Sequence, residues 1–89
     1  MRAVITVIGK DTVGIIAETS KILSENNVNI LDISQSVLSD FFAMIMLTDI
    51  SESKIGFPAL NEKLQAAGEK MGVKIHVMHE DIFNAMHRI

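Results

Sequence analysis

The sequence has no cysteine, tryptophan or tyrosine and only one proline. Without cysteine, disulfide frameworks, thiol catalysis and cysteine-ligated metals are excluded. The 8 basic residues form no cluster and are outnumbered by 11 acidic residues, so nucleic acids and anionic membranes lack the concentrated positive charge that they require. No apolar run approaches the roughly 18 residues needed to cross a bilayer. We therefore expect a cytoplasmic protein with no nucleic-acid or membrane partner.

The length of the chain predicts a single domain that gains from self-association. Its 89 residues are 48% hydrophobic, and a chain of this size buries only about 60 to 65% of the surface that it exposes when unfolded. We expect one domain over residues 1–89, with a core over residues 1–79 and a C-terminal extension over residues 80–89. Stability from a second subunit, in a homodimer or a higher homo-oligomer, is expected.

Apolar spacing divides the sequence into four strands and two main helices. The predicted strands are residues 3–8, 28–38, 41–50 and 73–78, and the predicted helices are residues 13–26 and 57–71. Ser39-Asp40 forms a tight turn, Pro58 fits a first helical turn and Gly72 fits a C-terminal cap. The order βαββαβ predicts an α+β, ferredoxin-like sandwich, in which two helices cover one face of an antiparallel four-stranded sheet.

The strand at residues 41–50 is apolar on both of its faces. Two helices cover only one face of a four-stranded sheet, and residues 3–8 also have the composition of a strand that is buried on both faces. The second face must therefore meet the C-terminal segment or another subunit. Asp81 is a suitable N-cap for a short helix whose apolar residues share one side, and these are Ile82, Phe83, Met86 and Ile89.

The loop between the first strand and the first helix has the features of a ligand site. Backbone N–H groups at a helix N-terminus attract an anion such as a carboxylate, and Gly9 and Gly14 permit close approach or a positive φ. Asp11 supplies a negative charge for an ammonium group, so the loop is suited to both ends of a free amino acid. The alternative is structural, with Asp11 or Thr12 only capping the helix.

These residues carry a resemblance to a known family. The βαββαβ order, the Gly9-x-Asp11-x-x-Gly14-Ile15 loop and the Asn27-Val28-Asn29-Ile30 segment resemble an ACT domain, a ligand-sensing module of amino-acid metabolism. The similarity extends through about Met78. The tail from His79 to Ile89 resembles that of a prokaryotic family of free-standing, single-domain ACT proteins.

The resemblance implies a homodimer that binds an amino acid between its subunits. The first loop of one subunit then faces the start of strand two in its neighbour, and positions matching Asp11 and Asn29 contact the ligand. The implied ligand-binding residues are Gly9, Lys10, Asp11, Thr12, Val13, Gly14, Ile15, Asn27 and Asn29. Asn27 is equally explained as a helix stop, whereas Asn29 is unusual at the opening of an apolar strand.

No enzymatic motif, metal site or cofactor is expected. The sequence has no nucleophilic triad, paired buried carboxylates or Walker A loop, and His76 and His79 lie on opposite faces if the last strand includes both. Two functions remain. One is a non-catalytic regulatory module that binds a small molecule, which the resemblance implies to be an amino acid, and signals to a protein partner. The alternative is an interaction or assembly module of the same fold without ligand binding.

Overall fold

The protein, seen in a computed structural model, folds as a layer of helices on one sheet. The structure describes residues 1–10 and 14–86. In chain order, the elements are β1 (Arg2–Lys10), α1 (Ile15–Glu25), β2 (Asn29–Leu38), β3 (Phe41–Asp49), α2 (Phe57–Met71), β4 (Val73–His79) and α3 (Glu80–Met86). This order confirms the predicted ferredoxin-like fold and its C-terminal helix.

The described strands form one antiparallel sheet in the order β2-β3-β1-β4. Ser39 adopts a positive φ of 59° in the turn that joins β2 to β3, as the predicted hairpin requires. A bulge lies between Ile30 and Asp32 on β2. On the C-terminal side of the bulge, Ile33 pairs with Met46 and Val37 pairs with Phe42. β2 is an edge strand, because β3 is the only described strand that pairs with it.

The hydrophobic core lies between the helices and one face of the sheet. Alternation places one set of strand residues on this face, and that set is buried together with residues from both long helices: Ala3, Ile5, Val7, Ile15, Leu23, Phe42, Met44, Met46, Leu60, Leu64, Val73, Ile75 and Val77. Thr48 lies among them and donates to the Ala3 carbonyl oxygen at 2.9 Å. The hydroxyl is therefore satisfied without contact with solvent.

Helix ends follow the chemistry of single residues. Pro58 occupies the first turn of α2, and Gly72 ends that helix with a φ of 74°, as predicted. α1 ends at Glu25 with Asn26 as its C-cap, and Asn27 adopts a left-handed φ of 61°. The predicted start of α1 was wrong. The helix begins at Ile15 and its N-cap is Gly14; Asp11 and Thr12, the predicted capping residues, lie outside the described residues.

Within residues 1–10 and 14–86, the opposite face of the sheet, here called the open face, is covered only at one end. Val4 belongs to this face and is 3% exposed, but Ile8 on the same strand is 54% exposed. Within one chain, the burial of residues 3–8 on both faces is therefore seen at Val4 and not at Ile8, whose cover the prediction also allowed another subunit to supply. The cover is uneven because α3 contacts β1 and β4 next to Arg2, whose guanidinium meets the Glu80 carboxylate at 3.0 Å.

The C-terminal segment is helical, but its helix starts two residues earlier than an N-cap at Asp81 predicts. α3 begins at Glu80, so Asp81 lies inside the helix rather than at its N-cap. Ile82 and Met86 are exposed and Phe83 is half-buried; Ile89 lies outside the described residues. Among the helices of residues 1–10 and 14–86, none is long and apolar enough to span a membrane.

Candidate functional site

The candidate site has two parts. The first, here called the upper part, is the Gly9–Ile15 connection between β1 and α1. Gly9 is necessary here for packing, because a Cβ atom at this position would lie 2.7 Å from Val73 Cγ1 on β4. Gly14 has a φ of 92° and open space around its missing side chain. The two glycines thus have different roles: Gly9 lets two strands approach each other, and Gly14 turns the chain into the helix.

Predicted ligand contacts in this loop divide into three groups. Asp11, Thr12 and Val13 lie outside the described residues. Ile15 points its side chain into the core and is 2% exposed, so only its backbone belongs to a site on the surface. Lys10 is exposed at the last position of β1, opposite Phe41 on β3.

The lower part of the candidate site is an open groove of about 600 Å³ beside the C-terminal end of α1. It contains Asn27 and Asn29, both predicted from the sequence, and three polar residues that were not predicted. The lining residues are Ser20, Ser24, Asn27, Val28, Asn29, Ile30 and Glu52. Ser20, Ser24 and Asn27 follow one another at spacings of four and three, the pattern of one helical face, and this signal was available in the sequence.

Hydrogen bonds fix the wall of this groove. The Asn27 side-chain amide donates to the Glu52 carbonyl oxygen at 3.0 Å, and the Lys54 backbone N–H donates to the Asn26 carbonyl oxygen at 2.9 Å. The left-handed turn at Asn27 is thereby held against the segment that follows β3. Asn27 therefore builds the groove, whereas Asn29, exposed at the first position of β2, presents its side chain beside it.

The groove favours a cationic or hydrogen-bonding group. Among the described residues that line it, Glu52 alone carries a formal charge. The two serine hydroxyls and the two asparagine amides add donors and acceptors without adding charge. An ammonium group is therefore better matched to this wall than a carboxylate is.

The two parts of the candidate site lie at opposite ends of the molecule. Gly9 pairs with Phe42 near the Ser39-Asp40 turn, whereas Asn29 pairs with Asp49, which in turn pairs with Arg2 at the other end of β1. These positions are seven residues apart along β1, and a rise of about 3.3 Å for each strand residue separates them by about 23 Å. One chain therefore does not bring Gly9 and Asn29 together.

The edge strand β2 runs between these two parts and is exposed along residues 31–37. Asn29 and residues 31–37 are all exposed, and Ile30 is half-buried. Leu31, Ile33 and Val37 are between 42% and 56% exposed. The Asp32 carboxylate accepts a hydrogen bond from the Ile33 N–H at 2.9 Å. Because an unpaired strand edge with apolar side chains invites pairing, this edge is suited to association.

The described histidines do not form a metal site. His76 is exposed, and His79 stacks on Phe57 with ring centroids 4.6 Å apart. Their register against Thr6 and Ala3 puts them on opposite faces of the sheet, as predicted. Among residues 1–10 and 14–86, no three histidines and carboxylates are grouped closely enough to hold a metal ion.

Comparison with known proteins supports the fold described above. A family model described as ACT domain matches residues 2–78. This span contains every strand described except the last residue of β4, and it includes both parts of the candidate site. The chain belongs to the ACT domain family.

Relatives and solved structures match over nearly the whole chain. A UPF0237 protein of Methanocaldococcus jannaschii is 57% identical over 88 residues, which cover 99% of this chain and 98% of the relative. The solved structure of an ACT domain protein from Streptococcus pneumoniae superimposes with a TM-score of 0.80 at 41% identity, covering 93% of both chains. The regulatory subunit of aspartate kinase from Thermus thermophilus shares the fold, with a TM-score of 0.66 at 23% identity over 86% of this chain and 50% of that one.

Proposed function

We propose that this chain is a non-catalytic regulatory module that binds an amino acid between two copies of itself. The two copies join through their β2 edges in antiparallel orientation. Each binding site then consists of the Gly9–Ile15 loop of one subunit and the Asn29 groove of the other. The observation that carries the proposal is the placement of these two parts at opposite ends of an exposed edge strand.

Antiparallel pairing explains why one chain holds only separated parts of a site. When two β2 strands run in opposite directions, the start of one strand lies beside the end of the other. The upper loop of one subunit is thereby brought toward the lower groove of its partner, and this occurs twice in a symmetric dimer. Membership of the ACT domain family and the fold shared with a regulatory subunit of aspartate kinase support this reading.

The polarity of the two parts suits a zwitterion. Glu52 and the neutral polar residues of the groove favour an ammonium group, and the N-terminus of α1, an 11-residue helix, favours a carboxylate. Asp11 adds a second acceptor for the ammonium group. The bound amino acid bridges two chains and stabilises the bridged arrangement by its differential affinity for it. A protein partner that recognises this arrangement then receives the signal.

Calorimetric titration with each of the free amino acids tests this function. We expect saturable binding of one or a few amino acids by the full chain, and loss of about tenfold or more in affinity for Asn29→Ala and for Asp11→Ala. Gln65→Ala is the matched control, because Gln65 is an exposed amide on α2, the helix that packs against β4 at the far edge of the sheet.

Two results would contradict the proposed function. The first is the absence of binding across the complete set of amino acids by protein that is folded and dimeric. The second is binding by a variant such as Val37→Lys that no longer dimerises through β2. In the first case, the exposed edge and open face support the alternative function, an assembly module of this fold that binds no small ligand.

A further inference from the structure

We infer that the open face of the sheet is a second interface, which binds another copy of this chain through reciprocal docking of α3. In this arrangement, α3 of each copy covers the bare end of the other copy's sheet. The inference is independent of the β2 edge. It concerns the face opposite α1 and α2 and predicts that dimers joined through β2 assemble further.

The bare end of the open face is an apolar strip on the two central strands. Phe41, Ala43 and Ile45 alternate with core residues on β3, and Ile8 pairs with Ala43 from β1. Phe41 and Ile8 are 55% and 54% exposed, and Ile45 is 42% exposed. A continuous strip of large apolar side chains on the middle of a sheet is uncommon on a monomer, so a partner is required to cover it.

The other end of the same face carries a protruding apolar helix. α3 contacts β1 and β4 and is anchored by the Arg2–Glu80 ion pair. Its outer side presents Ile82 and Met86, which are 52% and 66% exposed and one helical turn apart. The open face thus has two apolar parts at opposite ends of its strands. The strip formed by Ile8, Phe41, Ala43 and Ile45 is here called the floor, and the outer side of α3 with Ile82 and Met86 is called the ridge.

This arrangement is self-complementary, and for that reason we assign the face to a second copy. A two-fold axis that runs across the strands turns the α3 end of one copy onto the bare end of the other, and the same contact then forms twice. The ridge of each copy meets the floor of its partner. A chemically different partner would have to supply both a ridge and a floor of its own.

Charge agrees with this assignment. Lys74 is exposed on β4 and pairs with Ile8, so it borders the apolar floor. In the first turn of α3, Glu80 is paired with Arg2, and Asp81 is exposed and supplies the acidic charge. The proposed docking therefore brings an acidic helix end against a basic border, whereas a like-charged pairing would be repulsive.

The open face is large enough to form a specific interface. Four strands spaced at about 4.8 Å, with about nine residues rising 3.3 Å each, give a face of about 570 Å² for each copy. Two copies therefore bury about 1,100 Å² together, which exceeds the roughly 1,000 Å² expected of a specific interface.

Sedimentation equilibrium of Ala43→Lys tests the interface. Ala43 is exposed at the centre of the strip, so the variant folds, but an unpaired charge at the centre raises the dissociation constant by about tenfold or more. The matched control is Ala66→Lys, at an exposed alanine on α2. We expect four chains for the wild type and for the control, two for Ala43→Lys and two for Val37→Lys.

The masses separate this inference from the proposed function. If the wild type is a dimer that Ala43→Lys dissociates and Val37→Lys does not, the result supports the open-face interface and contradicts dimerisation through the β2 edge. If Ala43→Lys keeps the wild-type mass and an unchanged circular dichroism spectrum, the open-face interface is overturned and dimerisation through the β2 edge is unaffected.

Cross-linking provides a second test, which does not require a variant that disrupts the interface. The chain has no cysteine, so Ile8→Cys and Ile82→Cys each introduce a single thiol. Mixed and oxidised, the two variants are expected to form covalent pairs, because the proposed docking places Ile82 of one copy over Ile8 of the other. Ile8→Cys mixed with Ala66→Cys is the control. Pairing no greater than in this control would contradict the inference.

Discussion

Met46 and Ile33 are direct partners across the β3–β2 ladder, yet they have opposite environments. Met46 is fully buried beneath the helices, whereas Ile33 is 42% exposed. The helix layer covers β3 and stops short of β2, so the same apolar alternation stabilises the fold in one strand and remains available for association in the next. Hydrophobic pattern alone does not distinguish these two uses.

The largest predicted difference between the two positions is in folding stability. Met46→Ala leaves a cavity in a closed core and lowers the free energy of unfolding by about 2 to 5 kcal/mol. Ile33→Ala, measured with protein dilute enough to be monomeric, lowers it by less than about 1 kcal/mol, because little buried surface is lost. Urea denaturation of both variants measures this contrast. Equal losses at the two positions would show that β2 is covered within one chain.

Gly9→Ala is expected to have the next largest effect. Its new Cβ atom would lie 2.7 Å from Val73 Cγ1 and 3.0 Å from Val73 Cα, and β4 must shift to accommodate it. Overpacking of this kind lowers the free energy of unfolding by about 1 to 3 kcal/mol. Val73→Ala removes the contact with Cγ1, so Gly9→Ala is expected to cost less in a Val73→Ala background than in the wild type. An equal cost of Gly9→Ala in the two backgrounds would contradict a steric conflict with Val73 Cγ1.

Gly14→Ala tests backbone geometry in the same loop without a steric conflict. No atom lies within 4 Å of the position that its Cβ would occupy, but its φ of 92° disfavours a side chain. We expect a loss of about 1 kcal/mol in the free energy of unfolding by thermal or chemical denaturation. Gly14→Asn is the control, because asparagine tolerates positive φ better than alanine does. An alanine variant more stable than the asparagine variant would contradict this explanation.

The smallest predicted effect is electrostatic and lies at the end of β3. Hydrogen bonds from the Ser51 hydroxyl and backbone N–H, the latter at 2.9 Å, lower the pKa of Asp49 below its ordinary value of 3.8. A lowered folded-state pKa stabilises the fold above the ordinary value, and this contribution is lost as the pH falls through the lowered pKa. Asp49→Asn is expected to flatten the acid limb of the unfolding profile slightly. An unchanged acid limb would contradict the assignment.

The elements of the fold were predictable from the sequence because their signals are local. Pro58 and Gly72 mark the ends of α2, and the alternation from Phe41 onward defines β3 whether or not a partner is present. Coverage is not local. The exposure of Ile8 depends on where α3 ends, and the exposure of Ile33 depends on how far the helix layer extends, and neither distance is encoded in periodicity.

The candidate site was only partly predictable for a related reason. Asn29 was predicted from the resemblance to ACT domains, supported by its unusual place at the start of an apolar strand, but the groove beside it also requires Glu52, brought close by the turn at Asn27. The start of α1 at Ile15 depends on the left-handed φ of Gly14. Such a φ is permitted by glycine and is not required by it, so the sequence indicated a turn without locating it.

The most direct test of the central claim is complementation between two weakly binding variants. If each site combines the loop of one subunit with Asn29 of the other, Asp11→Ala and Asn29→Ala each weaken both sites of their own homodimers by about tenfold or more. A mixed dimer contains one site with both substitutions and one intact site. Equal mixing after subunit exchange is therefore predicted to restore calorimetric binding with wild-type affinity and about a quarter of the wild-type stoichiometry. No recovery in a mixture shown to contain mixed dimers, while the wild type binds, would contradict a site shared between two chains.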